Sequence, residues 1–299
     1  MKKVFIILVI ILVIVLTGLF VFKIKNNFSE EAKAKETKEE VKIAIMTATE
    51  LNFLDIGQGD STFIEFKNGE QILVDCGKDA KVLEELGRVM DFRDKSIDYL
   101  IVTHPDNDHY GGCIDVLERF EIANVIYNGQ QKNEDFYNEF LDYIEKENAN
   151  FKIIKTEEKL DFGGDTIDFI FPDGGVVSNP SDNNSSIVFI LESGDKKALF
   201  TGDMEEELEA YLIAKFSDKL DVDILKVGHH GSDSSSSQNF VDIVSPFYSV
   251  IPVGKNKYGH PSLRVIRRLE RLGGEVLRTD LLHGVKILMD ENLSMFQIQ

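Results

Sequence analysis

Two histidines and two aspartates fall within six residues at His104, Asp106, Asp108 and His109, inside the stretch Thr103-His-Pro-Asp-Asn-Asp-His-Tyr-Gly-Gly112. Imidazole and carboxylate together are a ligand set for zinc, manganese or iron, and four such groups so close can serve two ions. The preceding run, Asp98-Tyr-Leu-Ile-Val102, is short and apolar, which predicts a buried strand, and Pro105 and Asn107 then impose a turn. The four side chains are therefore expected on a tight loop at a strand's carboxyl edge. Asp, Asn and Pro are also ordinary turn formers, so the stretch alone leaves a plain loop open.

The rest of the chain bears on that choice. Of the six histidines, His104, His109, His229, His230 and His260 all follow predicted strand ends, the edge where ligands collect in α/β sheets. His283 lies within residues 282–285 and reads as structural. Asp75 and Asp203 also end strands, each beside a glycine, and a carboxylate there is costly unless it is paired or bound to metal. Asp203 reads as a ligand, and Asp75 as an outer carboxylate that holds a ligand or the loop. Cys76 and Cys113 have neither a disulfide framework nor metal-ligand spacing and read as buried free thiols.

These residues need a scaffold, and the pattern supplies one. Strands are expected over residues 51–56, 61–66, 71–75, 99–103, 124–127, 151–155, 166–171, 187–191, 197–201, 222–227 and 250–253. Helices are expected over 79–93, 114–120, 134–147, 204–216 and 262–272, with short closing strands between 275 and 298. Alternating strands and helices imply an α/β layered fold. The 299 residues can bury a sizeable core, and the net charge of −19 excludes bulk attraction to phosphate backbones. A nucleic-acid substrate would have to be held locally, and Lys255, Lys257, Arg264 and Arg267 are the residues that could do so.

Residues 4–22 are almost wholly apolar, with Lys2 and Lys3 before them and Lys23 and Lys25 after. Such a run nearly spans a hydrocarbon core of about 30 Å and lacks a small-residue cleavage site, so it reads as an uncleaved single-pass anchor. The cationic start places the N-terminus in the cytoplasm and the catalytic part outside the cell membrane. The expected organisation is an anchor over residues 1–25, a charged linker over 26–45 and a folded domain over 46–299.

Seven motifs occur in one order: Phe53-Leu-Asp-Ile-Gly-Gln-Gly-Asp60, Leu73-Val-Asp-Cys-Gly77, the Thr103 to Gly112 loop, Asn184-Ser-Ser-Ile-Val188, Phe200-Thr-Gly-Asp203, Leu225-Lys-Val-Gly-His-His-Gly-Ser232 and Tyr258-Gly-His-Pro261. Together they resemble the metallo-β-lactamase superfamily, and within it the domain of ComEC-type competence proteins, from about residue 50 onward. The resemblance implies a four-layer αββα sandwich with a dinuclear metal site. His104 and Asp106 would serve one ion, Asp108 and His109 the other, with Asp203 bridging and His229 completing the second site. His230, Ser232 and His260 would line the substrate side, with Asn184 and Ser186 near the first ion.

No histidine lies between Gly112 and Asp203, so the family's usual third ligand of the first site is missing. This carboxylate-rich set keeps manganese beside zinc for the one or two divalent ions. The implied activity is hydrolysis of a phosphodiester, DNA above all, with Asp108, His230 and His260 as catalytic candidates. A cell-surface phosphoesterase acting on wall teichoic acid or phosphorylcholine, and a non-catalytic competence-assembly protein, are the alternatives.

Overall fold

Alternation along single strands explains the architecture. In the strand Ser96–Val102, Leu100 and Val102 pack to one side while Ile101 packs to the other, which requires covered surfaces on both faces. The computed structural model describes residues 48–147, 149–174 and 181–298. The expected anchor and the expected linker lie outside these residues, and among the described residues no helix is long and apolar enough to cross a membrane.

The first sheet has eight strands in the order β15-β14-β1-β2-β3-β4-β5-β6. They are β1 Thr49–Phe53, β2 Thr62–Glu65, β3 Gln71–Val74, β4 Ser96–Val102, β5 Glu121–Tyr127, β6 Asn150–Ile153, β14 Val285–Met289 and β15 Met295–Gln297. The second sheet runs β13-β12-β11-β10-β9-β8-β7. Its members are β7 Glu158–Phe162, β8 Asp165–Phe171, β9 Val188–Ser193, β10 Lys196–Phe200, β11 Ile224–Lys226, β12 Tyr248–Ile251 and β13 Glu275–Arg278. Helices α1 Lys81–Val89, α2 Asn107–Tyr110, α3 Cys113–Arg119 and α4 Asp135–Lys146 belong to the first half. α5 Glu206–Phe216, α6 Gln238–Val244, α7 Leu263–Glu270 and α8 Thr279–Leu282 belong to the second.

Three apolar clusters define the layers. The middle one joins the inner faces of both sheets, with Leu51, Phe53 and Ile101 against Phe169, Phe189 and Phe200. The other two lie outside each sheet, under α1, α3 and α4 on one side and under α5, α6 and α7 on the other. The fold is therefore the expected helix-sheet-sheet-helix sandwich. Each fully buried Phe of the middle layer contributes about 1.5–3 kcal/mol by leaving water.

β3, β4, β5 and β6 run parallel, as do β10, β11, β12 and β13. Their carboxyl ends carry the loops of interest.

The sequence reading differs from the structure in several places, among them the short helices α2 and α8, which fall where a tight loop and closing strands are expected. Cys76 and Cys113 are not free thiols: they form a disulfide, with Cα atoms 5.1 Å apart. The end of β3 and the start of α3 abut, because Gly112 packs so closely on the Cys76 carbonyl that no Cβ would fit between them. Strand β7 and helix α6 were not anticipated. β7 is an edge strand whose polar residues outnumber Leu160 and Phe162, and α6 follows a serine-rich run, capped by the Ser237 hydroxyl.

Candidate metal centre

Strand ends deliver the side chains, and unusual backbone aims them. Asp75 leaves β3 with φ of 57°, and His229 and His230 leave β11 with φ of 46° and 51°. Left-handed backbone at non-glycine residues is costly and persists where the surroundings enforce it, often at functional sites. Gly202 (φ 52°) sits so close to Ser186 that an added Cβ would lie 2.6 Å from its side chain.

Two histidines share one arrangement. His109 Nδ1 lies 2.8 Å from Asp75 Oδ2, and its Nε2 lies 3.3 Å from Asp203 Oδ1. His230 Nδ1 lies 3.2 Å from Asp60 Oδ1 and 3.0 Å from the Pro252 carbonyl, while its Nε2 faces Asp108 Oδ2 at 3.3 Å and Asp203 Oδ2 at 3.4 Å. A carboxylate behind Nδ1 fixes the ring and leaves Nε2 for an ion. Asp75 also accepts hydrogen bonds from the Thr103 amide and hydroxyl at 2.8 and 2.7 Å, tying β3 to the ligand loop.

Asp60, His109, Asp203 and His230 each offer one ligand-type atom within 4.8 Å of the others. His104 Nε2, His109 Nε2, His230 Nε2 and Asp203 Oδ1 are buried without a hydrogen-bond partner, a state that costs about 1–3 kcal/mol for each group. Convergent orphaned donors of this kind fit a divalent cation, which would satisfy them together. Asp60 Oδ1 and Oδ2 are likewise without a hydrogen-bond partner, but this carboxylate is in ion-pair contact with the Lys226 ammonium, whose Nζ donates to the Gly202 carbonyl at 2.6 Å and lies 3.8 Å from Asp203 Oδ1. Its position behind His230 makes it the counterpart of Asp75. The ligand-facing set is then Asp108, His109, Asp203 and His230.

The charges agree with that division. Burial pushes Asp203 up, but His230 and His109 outweigh it and hold Asp203 well below the usual carboxylate range. Asp108 is brought down to about 2 against its own burial, by the close approach of His230 Nε2 at 3.3 Å and the charges of His109 and His230. Burial alone would lower both histidines. Asp203, Asp75 and Asp60 instead hold His109 well above its ordinary value, and Asp203 and Asp60 bring His230 to about 10.

Other expected site residues are placed differently. His229 lies outside the cluster, its Nδ1 3.3 Å from Glu205 Oε1, so the histidine pair contributes His230 rather than His229. Asn184 and Ser186, expected near ion and substrate, are buried. Asn184 Oδ1 accepts from the Glu205 amide at 2.9 Å, and Ser186 Oγ accepts from the Asp203 amide at 3.0 Å. They hold the Asp203 loop. Ser232 is also buried and spends its hydroxyl on Ser234. His260 stands by the rim, its ring centroid 5.4 Å from that of His229. Burial, then His229 and His230, lowers its pKa.

Residues 54–255 match the family model described as the metallo-beta-lactamase superfamily. The chain belongs to that superfamily. Among curated proteins, the superfamily domain is 30% identical over 249 residues to "ComE operon protein 3" of Bacillus subtilis, covering 77% of this chain and 32% of that one. It is 32% identical over 231 residues to "Competence protein ComA" of Neisseria gonorrhoeae, covering 76% and 30%. The chain thus spans about a third of the length of these two proteins. In structure it is similar to the metallo-beta-lactamase fold protein YhfI of Bacillus subtilis, with a TM-score of 0.52 at 11% identity, covering 78% of this chain and 97% of that one.

The superfamily generally comprises metal-dependent hydrolases. The half of its site formed by His104 and Asp106 is thin in this chain. His104 Nε2 faces Asp106 Oδ2 at 3.5 Å, and Lys132 Nζ lies 2.7 Å from Asp106 Oδ1 and 3.2 Å from Asp182 Oδ2. His104 Nδ1 is backed by the Thr103 hydroxyl at 3.1 Å. Burial would raise Asp106, but His104 and Lys132 hold it far below the usual range. Lysine reaches this half from the loop after β5, which nothing in the local motif announces.

Proposed function

We propose that this domain hydrolyses phosphodiesters, with DNA or another nucleic acid as substrate, using one or two divalent ions, zinc or manganese. The observation that carries the reading is an open groove of about 580 Å³ lined by Lys78, Lys255 and Lys257, with Asp108 on its wall. Asp108 also faces His230, so groove and cluster are continuous. Three lysines meeting there, in a chain of net charge −19, supply the local phosphate attraction that the overall charge denies. Of the four basic residues read from the sequence, Lys255 and Lys257 line this groove, whereas Arg264 and Arg267 line a different depression on α7.

When bound, a divalent ion supplies Lewis-acid polarisation of the phosphoryl group and acidification of water. Asp108, His109, Asp203 and His230 would hold it, His104 and Asp106 a second. Asp75 and Asp60 fix the imidazole rings through Nδ1. Neutral at working pH, His260 offers a ring N–H to a non-bridging oxygen. His230, a catalytic candidate expected on the substrate side, is enclosed by Asp108 and Asp203 and is better used as a ligand.

The names "Competence protein ComA" and "Recombination protein 2", the latter of a Haemophilus influenzae relative 30% identical over 244 residues, favour DNA. Disulfides persist in oxidising compartments, so the Cys76–Cys113 bridge favours a catalytic part outside the membrane, anchored through residues 4–22. The test is hydrolysis of single-stranded DNA and of bis-p-nitrophenyl phosphate with manganese or zinc, alongside metal analysis. Wild type should cleave both and Asp203→Ala neither. Cleavage of the small ester alone would turn the reading to a surface phosphoester, and a protein that binds no metal would end it.

A further inference from the structure

Beside the lysines, the groove carries an aromatic ring that the hydrolytic site does not use. Tyr258 is 65% exposed, although an exposed tyrosine beside a charged cleft buries little and gains little from packing. One side leans on His260, with ring centroids 5.8 Å apart and planes 22° apart. Lys257 Nζ lies 5.6 Å from the ring centroid.

The loop that presents the ring is built to stay in place. Asn256 Oδ1 accepts the backbone N–H groups of Tyr258, Gly259 and His260 at 3.0, 3.0 and 3.1 Å. Its Nδ2 donates to the carbonyls of Gly254 and His260 at 2.9 and 2.8 Å. One side chain thus organises five backbone groups, and none of these bonds involves the Tyr258 ring. A rigid, solvent-facing aromatic among lysines is the combination that binds single-stranded nucleic acid, bases stacking on the ring while cations follow the backbone.

The geometry points to Tyr258 as a base-stacking platform: the groove takes a single-stranded polynucleotide, one base resting on Tyr258 while Lys78, Lys255 and Lys257 hold phosphates. This assignment rests on the phosphodiesterase reading and narrows its substrate to unpaired strands with bases present next to the cleaved bond.

The test is steady-state cleavage, by the full-length protein in detergent with manganese, of a single-stranded oligonucleotide and of the same strand carrying abasic sites. Tyr258→Ala should raise KM for the intact strand roughly 5- to 150-fold more than for the abasic strand, and be rescued by Tyr258→Phe. Lys255→Ala should weaken both strands alike and reduce the salt slope by about one. Equal losses on both strands with Tyr258→Ala, or no loss on either, would overturn the stacking role while leaving the nuclease reading intact. Wild type inactive on either strand but active on bis-p-nitrophenyl phosphate would overturn both the stacking role and the nucleic-acid substrate.

Discussion

The loop between β4 and α3 carries two pairs of metal-type side chains, and the fold treats them differently. Around Asp108 and His109, other strand ends converge: Asp75 from β3, Asp203 from β10 and His230 from β11. Around His104 and Asp106, the nearest supports are the Thr103 hydroxyl and the Lys132 ammonium. One pair has an excess of carboxylate that calls for a cation. The other is met by Lys132 at Asp106, although Lys226 likewise contacts Asp60 and lies 3.8 Å from Asp203 Oδ1 in the first. Ligand identity in the motif is thus a weaker guide to ion affinity than the charge that neighbouring loops bring to each half.

The largest expected effects test that asymmetry directly. Asp108→Ala should abolish tight metal binding and lower phosphodiester cleavage on the order of 10³-fold, whereas Asp106→Ala should leave one ion bound on calorimetric titration. Loss of all metal in Asp106→Ala would break the comparison. Next, His230→Ala should cost about 10²-fold or more in activity, and His229→Ala no more than about threefold, because only His230 points an unpartnered nitrogen at Asp203. The reverse order would return His229 to the cluster.

Asp75→Asn keeps the shape behind His109 and removes the charge, so metal affinity should fall about 10- to 100-fold without loss of fold, as read by titration and circular dichroism. The smallest effect is on pH. His109 and His230 are held above their ordinary value, His230 at about 10. Their protonated contribution to the metal-free fold is complete below about pH 6.5 and is lost as pH rises toward 10. Metal-stripped protein should therefore melt a few degrees lower at pH 9 than at pH 7. Over the same interval metal should bind more tightly, as fewer protons must be displaced. A flat melting profile would remove the two imidazolium ions from the account.

Much of this was legible in the sequence because strand ends advertise themselves. His104, Asp108, His109 and Asp203 each follow an apolar run, and the alternation that predicts those runs also predicts the layers. Asp60 was quoted within its motif but given no role, since it follows a glycine-rich turn with no histidine beside it and its partners, Lys226 and His230, are distant in sequence. Choosing between His229 and His230 depended on which ring reaches Asp60 and Asp203 and which reaches Glu205, partners that two identical neighbours do not reveal. The disulfide was hidden for a related reason: its cysteines are separated by 37 positions, and only the packing of β3 against α3 brings them together.

That bridge has a topological consequence. Residues 77–112, which include α1, β4 and the whole ligand loop, form a closed covalent ring. The ring's outermost corner is Phe92, 81% exposed between α1 and β4. A protease that cuts there opens the ring without dividing the molecule: under denaturing conditions both fragments travel together until a reductant is added, and the ligand loop stays fastened at Cys113 to the strand end that carries Asp75.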